Sequence, residues 1–267
     1  MSLFFRISVV ILSATFFFVV FFLLNLLLRA PTFEANRIAH AGGQYHEMVL
    51  TNSLNALTAS YSRGYRYFEV DLNYTSDGFL VCAHRWGSKK GNILWPDYTP
   101  TRDEYIDAYS ESLFTPCVID SLMNWLSEHG DATLIADVKQ NELIALASIS
   151  EEYPKLRDRI IPQIFQPNDF SKVRSFGFDR VIWALYRFDG ENSSILDELK
   201  KFSEPIAISV GMQRINNGLL NDLRSSRLDI PVYVHTINDK RLMCILKDTF
   251  QVREVFTDTL DPSINCI

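Results

Sequence analysis

Strand-like and helix-like segments alternate along the chain from residue 37 to its carboxyl end. Short apolar runs predict the strands, and longer segments with helical signals lie between them. This alternation is typical of parallel strands covered by helices. Eight strands are predicted, at 37–41, 68–72, 133–139, 160–165, 181–186, 206–210, 231–236 and 255–257. Eight is the number that closes a (β/α)8 TIM-type barrel, which is the predicted fold.

The segments between these strands predict helices. Thr51 and Asn52 can cap a helix in which Leu54 and Leu57 share one face, and Gly64 favours its end. Further helices are predicted near 118–128, 141–152, 168–177, 192–202, 215–226 and 239–249.

One barrel domain is predicted at 37–267, after a linker at 31–36. Residues 85–115 interrupt the alternation and carry aromatic and basic side chains without a clear period. One interpretation is an insertion over the site that meets an organic phosphate or a membrane surface. An ordinary packed excursion is the other interpretation.

The amino-terminal residues 1–30 are predicted to form a transmembrane anchor. About 22 uncharged residues lie between Arg6 and Arg29, close to the roughly 20 that a helix needs to cross a bilayer. This run exceeds the core of a cleaved signal peptide, which is the alternative. The short amino-terminal tail places the barrel on the non-cytoplasmic side, so the expected localisation is single-pass membrane.

The net charge of the chain indicates which classes of binding partner to expect. The formal net charge is −6 and no basic run occurs, which argues against nucleic acid. The expected partners are a phosphodiester small molecule or lipid head group, and the membrane through the amino-terminal helix. The cysteines have no metal-like spacing and leave the redox compartment open, and Cys82 is interpreted as a core residue.

Two acidic residues share one face of the strand at 68–72. Successive strand side chains point to opposite faces, so Glu69 and Asp71 lie together. An Asp-Gly pair at 77–78 then predicts a two-residue hairpin turn. That register pairs Asp71 with His84 and brings the imidazole to the carboxylates. The plainer alternative is a half-exposed strand with its charges in water.

Other polar residues end predicted strands. His40 is followed by Gly42 and a second glycine, which let the backbone approach a ligand closely. Asp137 and Lys139 share a strand face that points into a barrel, where charges need each other, a metal or a charged ligand. A structural histidine and a structural ion pair are the alternatives.

In this order, the motifs resemble the glycerophosphodiester phosphodiesterase family, part of the superfamily of TIM-barrel phosphodiesterases that includes phosphatidylinositol-type phospholipase C. The matching pieces are His40 with its glycines, Thr51-Asn52, Glu69-x-Asp71, the turn at 75–78 and His84. Fainter matches lie at 137–139, 234–238 and 256–258, so the resemblance spans about residues 37 to 262.

The resemblance implies a TIM-type barrel that holds one divalent cation, Ca²⁺ or Mg²⁺, at its carboxyl face. The ligands would be Glu69, Asp71 and Asp137, an all-oxygen set that suits hard cations. His40 and His84 would be the general acid and base.

The residues expected to contact the substrate are Lys139, Arg85 and Gly42. In the family the attacking hydroxyl is the substrate's own, and water then opens the cyclic phosphate. Three positions depart from the family pattern. Ala41 replaces an arginine, Asp137 replaces a glutamate, and Arg85 replaces an aspartate. We hypothesise that Arg85 restores the positive charge lost at position 41.

The predicted function is therefore a membrane-anchored, metal-dependent phosphodiesterase that hydrolyses a glycerophosphodiester or a related lipid or polymer head group. One alternative is phospholipase C-type cleavage of an intact phospholipid. Another is a catalytically inactive barrel that binds a phosphorylated ligand.

Overall fold

The fold is a closed barrel of parallel strands. The structure, a computed structural model, describes residues 33, 36–87, 89–90, 93–94 and 96–266, with 89–90 and 93–94 described by backbone only. The strands are β1 (Ile38–Ala39), β2 (Tyr67–Tyr74), β3 (Leu80–Cys82), β4 (Lys89–Lys90), β5 (Ile93–Leu94), β6 (Thr133–Val138), β7 (Ile160–Ile164), β8 (Ile182–Ala184), β9 (Ala207–Gly211), β10 (Val232–His235) and β11 (Glu254–Thr257).

Eight of these strands form the barrel wall in the order β1, β2, β6, β7, β8, β9, β10 and β11. Strand β1 pairs in parallel with both β2 and β11, so the sheet closes on itself. Each of the eight predicted strands overlaps one of these, and the predicted TIM-type α/β fold is confirmed. Strand β3 is an additional strand, antiparallel to β2.

Helices follow the strands and cover the barrel. They are α1 (Leu54–Ser62), α2 (Arg102–Asp107), α3 (Ile119–Glu128), α4 (Glu142–Glu152), α5 (Phe170–Ser175), α6 (Asn192–Leu199), α7 (Met212–Asn216), α8 (Leu219–Ser225) and α9 (Lys240–Phe250). The predicted cap of α1 is wrong, because Ser53 accepts the capping hydrogen bond from the Ala56 N–H. The Asn52 side chain therefore does not cap α1.

An apolar layer fills the lower part of the barrel. Inward side chains of all eight wall strands form one buried cluster there, including Ile38, Ile135 and Phe256. Because strand side chains alternate, residues two positions further along the same strands also face the interior. Several of those residues are polar, so a charged mouth lies above an apolar floor.

The hairpin after β2 has a three-residue loop instead of the predicted two-residue turn. The Thr75 N–H donates to the Phe79 carbonyl at 2.9 Å, which leaves residues 76–78 in the loop. Gly78 takes a φ of 87° there, a left-handed conformation that glycine adopts without strain.

This longer loop shifts the hairpin register by one residue. Leu72 pairs with Cys82, so Asp71 lies opposite Ala83 and the predicted pairing with His84 is wrong. His84 still reaches the barrel mouth because β3 ends at Cys82. Beyond that point the alternation of strand side chains no longer dictates its direction.

Described residues of the segment 85–115 form a small core with β3. Tyr105 and Phe114 lie in a buried cluster with Val81 of β3. Disulfide bonds join Cys82 to Cys117 and Cys244 to Cys266. The first bond encloses this whole segment, so Cys82 is both a core residue and a covalent link.

The prediction of a single-pass membrane protein, with its barrel on the non-cytoplasmic side, is contradicted. In the part of the chain that the structure describes, no helix is both long and apolar enough to cross a bilayer. The longest described helices, α4 and α9, have 11 residues, about half the number that a bilayer crossing needs. Residues 1–30, where the anchor was predicted, lie outside the described residues.

Candidate active site

A cavity of about 210 Å³ lies at the carboxyl ends of the barrel strands. Six residues predicted from the sequence line it together, namely His40, Glu69, Asp71, His84, Asp137 and Lys139. The carboxyl face is where TIM barrels build their sites, since loops from all eight strands converge there. The polar residues that the sequence placed at strand ends therefore meet in one place.

The two carboxylates of β2 are oriented by neighbouring polar groups. The Ala41 backbone N–H donates to Glu69 Oε2 at 2.7 Å. Asn52 Nδ2 donates to Asp71 Oδ2 at 2.8 Å, and Asn52 Oδ1 accepts from the Asp71 N–H at 2.9 Å. This reciprocal pair ties the segment before α1 to the site, which is the role that Asn52 plays instead of capping.

Lys139 lies between two carboxylates. Its Nζ is 2.5 Å from Asp71 Oδ1 and 2.9 Å from Asp137 Oδ2. Burial lowers the Lys139 pKa, but the charges of both aspartates outweigh burial and raise it, so the ammonium stays charged. Burial also opposes ionisation of Asp71, yet the charges of Lys139 and His84 hold its pKa below the usual range.

The acidic cluster fits a divalent cation. Carboxylate oxygens of Glu69, Asp71 and Asp137 all lie within 4.8 Å of one another, and the three residues are buried. Burial, and next the neighbouring Asp71 charge, raise the Glu69 pKa to about 8, so Glu69 keeps its proton at neutral pH unless a nearby positive charge compensates for its ionisation. Burial also raises the Asp137 pKa. A cation bound here would favour ionisation of all three carboxylates, which together with the Lys139 ammonium would carry a net charge of −2. An all-oxygen donor set of this charge matches Ca²⁺ or Mg²⁺.

Asp258 holds His40 through the ring nitrogen other than the one nearest Glu69. The His40 Nδ1 lies 2.8 Å from Asp258 Oδ1, and Asn238 Nδ2 donates to Asp258 Oδ2 at 2.7 Å. Burial lowers the His40 pKa, but the hydrogen bond to Asp258 and the nearby carboxylate charges outweigh it and raise the pKa to about 9. With Nδ1 engaged, Nε2 lies 3.9 Å from Glu69 Oε2. The imidazole is thus fixed in orientation beside the acidic cluster.

The remaining predicted residues occupy other places. His84 is exposed at the rim. Arg85 lines an adjoining groove instead of the cavity. Gly42 is buried in the turn after β1, where its carbonyl accepts from Ser60 Oγ at 2.8 Å, and it does not line the cavity.

The cavity also contains residues that were not predicted as site residues. Tyr186 donates its hydroxyl to both oxygens of Asp137 at 3.0 Å. Tyr186 is the last residue of a predicted strand, and that position could have identified it as a site residue. Asp258 and His235 fall within motifs that carry the family resemblance, whereas Gln163 gave no signal beyond its strand position.

His235 brings a second imidazole into the interior of the barrel. Its Nε2 is buried and has no hydrogen-bond partner among the described residues. Burial, together with the positive charges of His40 and Lys139, lowers the His235 pKa to about 4. His235 is therefore neutral at physiological pH and faces the cavity with an unused polar atom.

The fold is similar to those of several solved phosphodiesterase structures. A glycerophosphodiester phosphodiesterase from Thermotoga maritima has a TM-score of 0.65 and 19% identity, covering 85% of this chain and 96% of that chain. The enzyme from Parabacteroides distasonis has a TM-score of 0.62 and 16% identity, covering 84% and 92%.

A third structure contains a bound product. It is an Oleispira antarctica phosphodiesterase in complex with sn-glycerol-3-phosphate, with a TM-score of 0.61 and 16% identity, covering 84% of this chain and 92% of that chain. No protein-family model and no curated protein matches the sequence. Similarity at these identities shows the fold, and it confirms the resemblance at that level: the chain has the TIM-type barrel of the glycerophosphodiester phosphodiesterases.

Proposed function

We propose that the chain is a metal-dependent phosphodiesterase that hydrolyses a glycerophosphodiester or a related lipid or polymer head-group phosphodiester. The observation that carries the proposal is the convergence of His40, His84 and the three buried carboxylates on one barrel mouth. The barrel fold shared with glycerophosphodiester phosphodiesterases supports it.

Two histidines suit the proton transfers of this reaction. One imidazole takes the proton of the substrate's attacking hydroxyl while the other donates a proton to the departing alcohol. A bond forms between phosphorus and the attacking oxygen, and the bond to the departing oxygen breaks. The two imidazoles then exchange roles when water opens the cyclic phosphate, so each ends the cycle in its starting protonation state.

Glu69, Asp71 and Asp137 would hold the cation. When bound, a divalent cation supplies positive charge to the non-bridging phosphate oxygens. Lys139 adds an ammonium in the same cavity, and its two aspartate partners fix its position.

The test is hydrolysis of glycerophosphoglycerol and of an aryl phosphodiester by the full chain, with Ca²⁺, Mg²⁺ or a chelator. We expect metal-dependent turnover that falls by at least about 100-fold in Glu69→Gln and in His84→Ala. The matched control is Glu198→Gln, which removes a half-buried carboxylate on α6 that pairs with Lys201 and does not line the cavity.

Two outcomes would contradict the proposal. Absence of turnover with every metal would favour an inactive barrel. Release of phosphorylated head groups from intact phospholipid vesicles, with no hydrolysis of the deacylated diester, would favour phospholipase C-type cleavage.

A further inference from the structure

A second groove, of about 330 Å³, continues from the cavity along the rim of the barrel. The groove and the cavity share His84, Lys139 and Tyr186. The groove is therefore open to a substituent of a substrate whose phosphorus lies in the cavity.

The lining of the groove has the opposite charge to the cavity. It includes Arg85, Arg187 and Lys139, and none of the described residues that line it is acidic. The charge of Lys139 is already balanced by Asp71 and Asp137. Arg85 and Arg187 bring two guanidinium groups to the groove, in a chain whose formal net charge is −6.

Packing holds one of the two guanidinium groups at the rim. The Arg187 guanidinium carbon lies 3.9 Å from the centre of the Phe165 ring. One of its nitrogens donates to the Lys139 carbonyl at 3.3 Å. Arginine carries five N–H donors in a planar fork that matches the oxygens of a phosphate, so donors remain for a ligand.

The geometry points to a subsite in this groove for a released alcohol that carries a further phosphate or phosphodiester. The inference rests on the proposed function and narrows its substrate class to polyanionic glycerophosphodiesters. Trp86 adds an aromatic wall, which by itself would also suit a quaternary ammonium. The two arginines repel such a cation, so charge decides between the two ligands.

The test compares kcat/KM of the full chain, with its activating metal, for two glycerophosphodiesters that differ in the charge of the released alcohol. Glycerophosphoglycerol releases neutral glycerol, whereas bis(glycerophospho)glycerol releases an alcohol that bears a second phosphodiester. We expect the second substrate to be preferred by about ten-fold at low salt, because two exposed charge pairs together contribute about this factor. Bis(glycerophospho)glycerol has two equivalent phosphodiester groups, which by statistics alone raise its kcat/KM by only about two-fold.

If charge produces this preference, its kinetic origin and its salt dependence can be predicted. It should arise mainly in KM and decline as NaCl rises from about 0.02 to about 0.5 M. Arg187→Gln and Arg85→Gln should each reduce the ratio of the two kcat/KM values, and Arg187→Lys should restore part of it. The matched control is Arg224→Gln, which removes an exposed arginine on α8 that also donates to a backbone carbonyl.

Equal kcat/KM for the two diesters, or a preference for glycerophosphocholine, would overturn the inference and leave the proposed function intact. If no diester is hydrolysed with any metal, the proposed function fails separately. Calorimetric titration with the same two diesters then measures the preference as a ratio of dissociation constants. A ratio of one would reject the subsite.

Discussion

Asp258 Oδ1 lies 2.8 Å from His40 Nδ1, although the two residues are 218 positions apart in the chain. A carboxylate on one ring nitrogen fixes the orientation of the imidazole and favours its protonated form. We expect Asp258→Asn to lower the His40 pKa from about 9, and to reduce turnover by about 10- to 100-fold. NMR titration of the His40 ring would measure the pKa.

Asp131→Asn is the control for this change, because Asp131 is an exposed carboxylate that also makes polar side-chain contacts. An unchanged His40 titration in Asp258→Asn would show that Asp258 does not set its protonation.

Tyr186 orients Asp137 through both carboxylate oxygens. Removing the hydroxyl leaves Asp137 with fewer hydrogen bonds and a less defined position for a bound cation. We therefore expect Tyr186→Phe to weaken Ca²⁺ or Mg²⁺ binding by about 10-fold, as measured by isothermal titration calorimetry. Tyr153→Phe is the matched control, because Tyr153 also donates to an aspartate, Asp120, away from the site. Equal affinities in both variants would contradict this role.

His235 makes the folded state sensitive to acid. Its folded-state pKa of about 4 lies below the ordinary value of 6.5, so between these pH values the unfolded chain binds the additional proton. The free energy of unfolding therefore falls as pH decreases from about 6.5 to about 4, by up to about 3 kcal/mol from this group. The His40 pKa is raised instead of lowered, so His40 changes the free energy of unfolding only above pH 6.5.

The measurement is urea unfolding at several pH values for the wild type and His235→Gln. We expect the variant to lose less stability across that acid range. Parallel pH profiles for the two proteins would exclude His235 as the cause.

The disulfide between Cys82 and Cys117 has a sequence separation of 35 residues and encloses the segment beside the groove. Cross-linking a loop of this length restricts the unfolded chain and stabilises the fold by about 3 to 4 kcal/mol. We expect the double variant Cys82→Ser and Cys117→Ser to lose about this amount in the free energy of unfolding.

Peptide mapping of the unreduced protein would identify both bonds directly. A different pairing of the four cysteines, or free thiols at these positions, would refute the prediction.

Much of the fold was predictable because its signals are local. Eight wall strands and most of the helices follow from periodicity and turn residues within short windows. The alternation of side chains along β2 likewise placed Glu69 and Asp71 on one face, and Asp137 with Lys139 on another strand. The hairpin was predicted from Asp-Gly, but its loop length depended on Thr75 bonding to Phe79 across the loop.

By itself, then, the sequence determined the order of strands and helices that predicts the barrel, and the acidic strand faces, since both are read from patterns within short windows of the chain. Only the tertiary structure decided that Asp258 holds His40, that Tyr186 holds Asp137, and that Arg85 lines a groove beside the cavity. These contacts join distant segments, and their geometry depends on how the closed barrel brings its strand ends together. A pattern within a short stretch of sequence does not predict which distant residues come into contact.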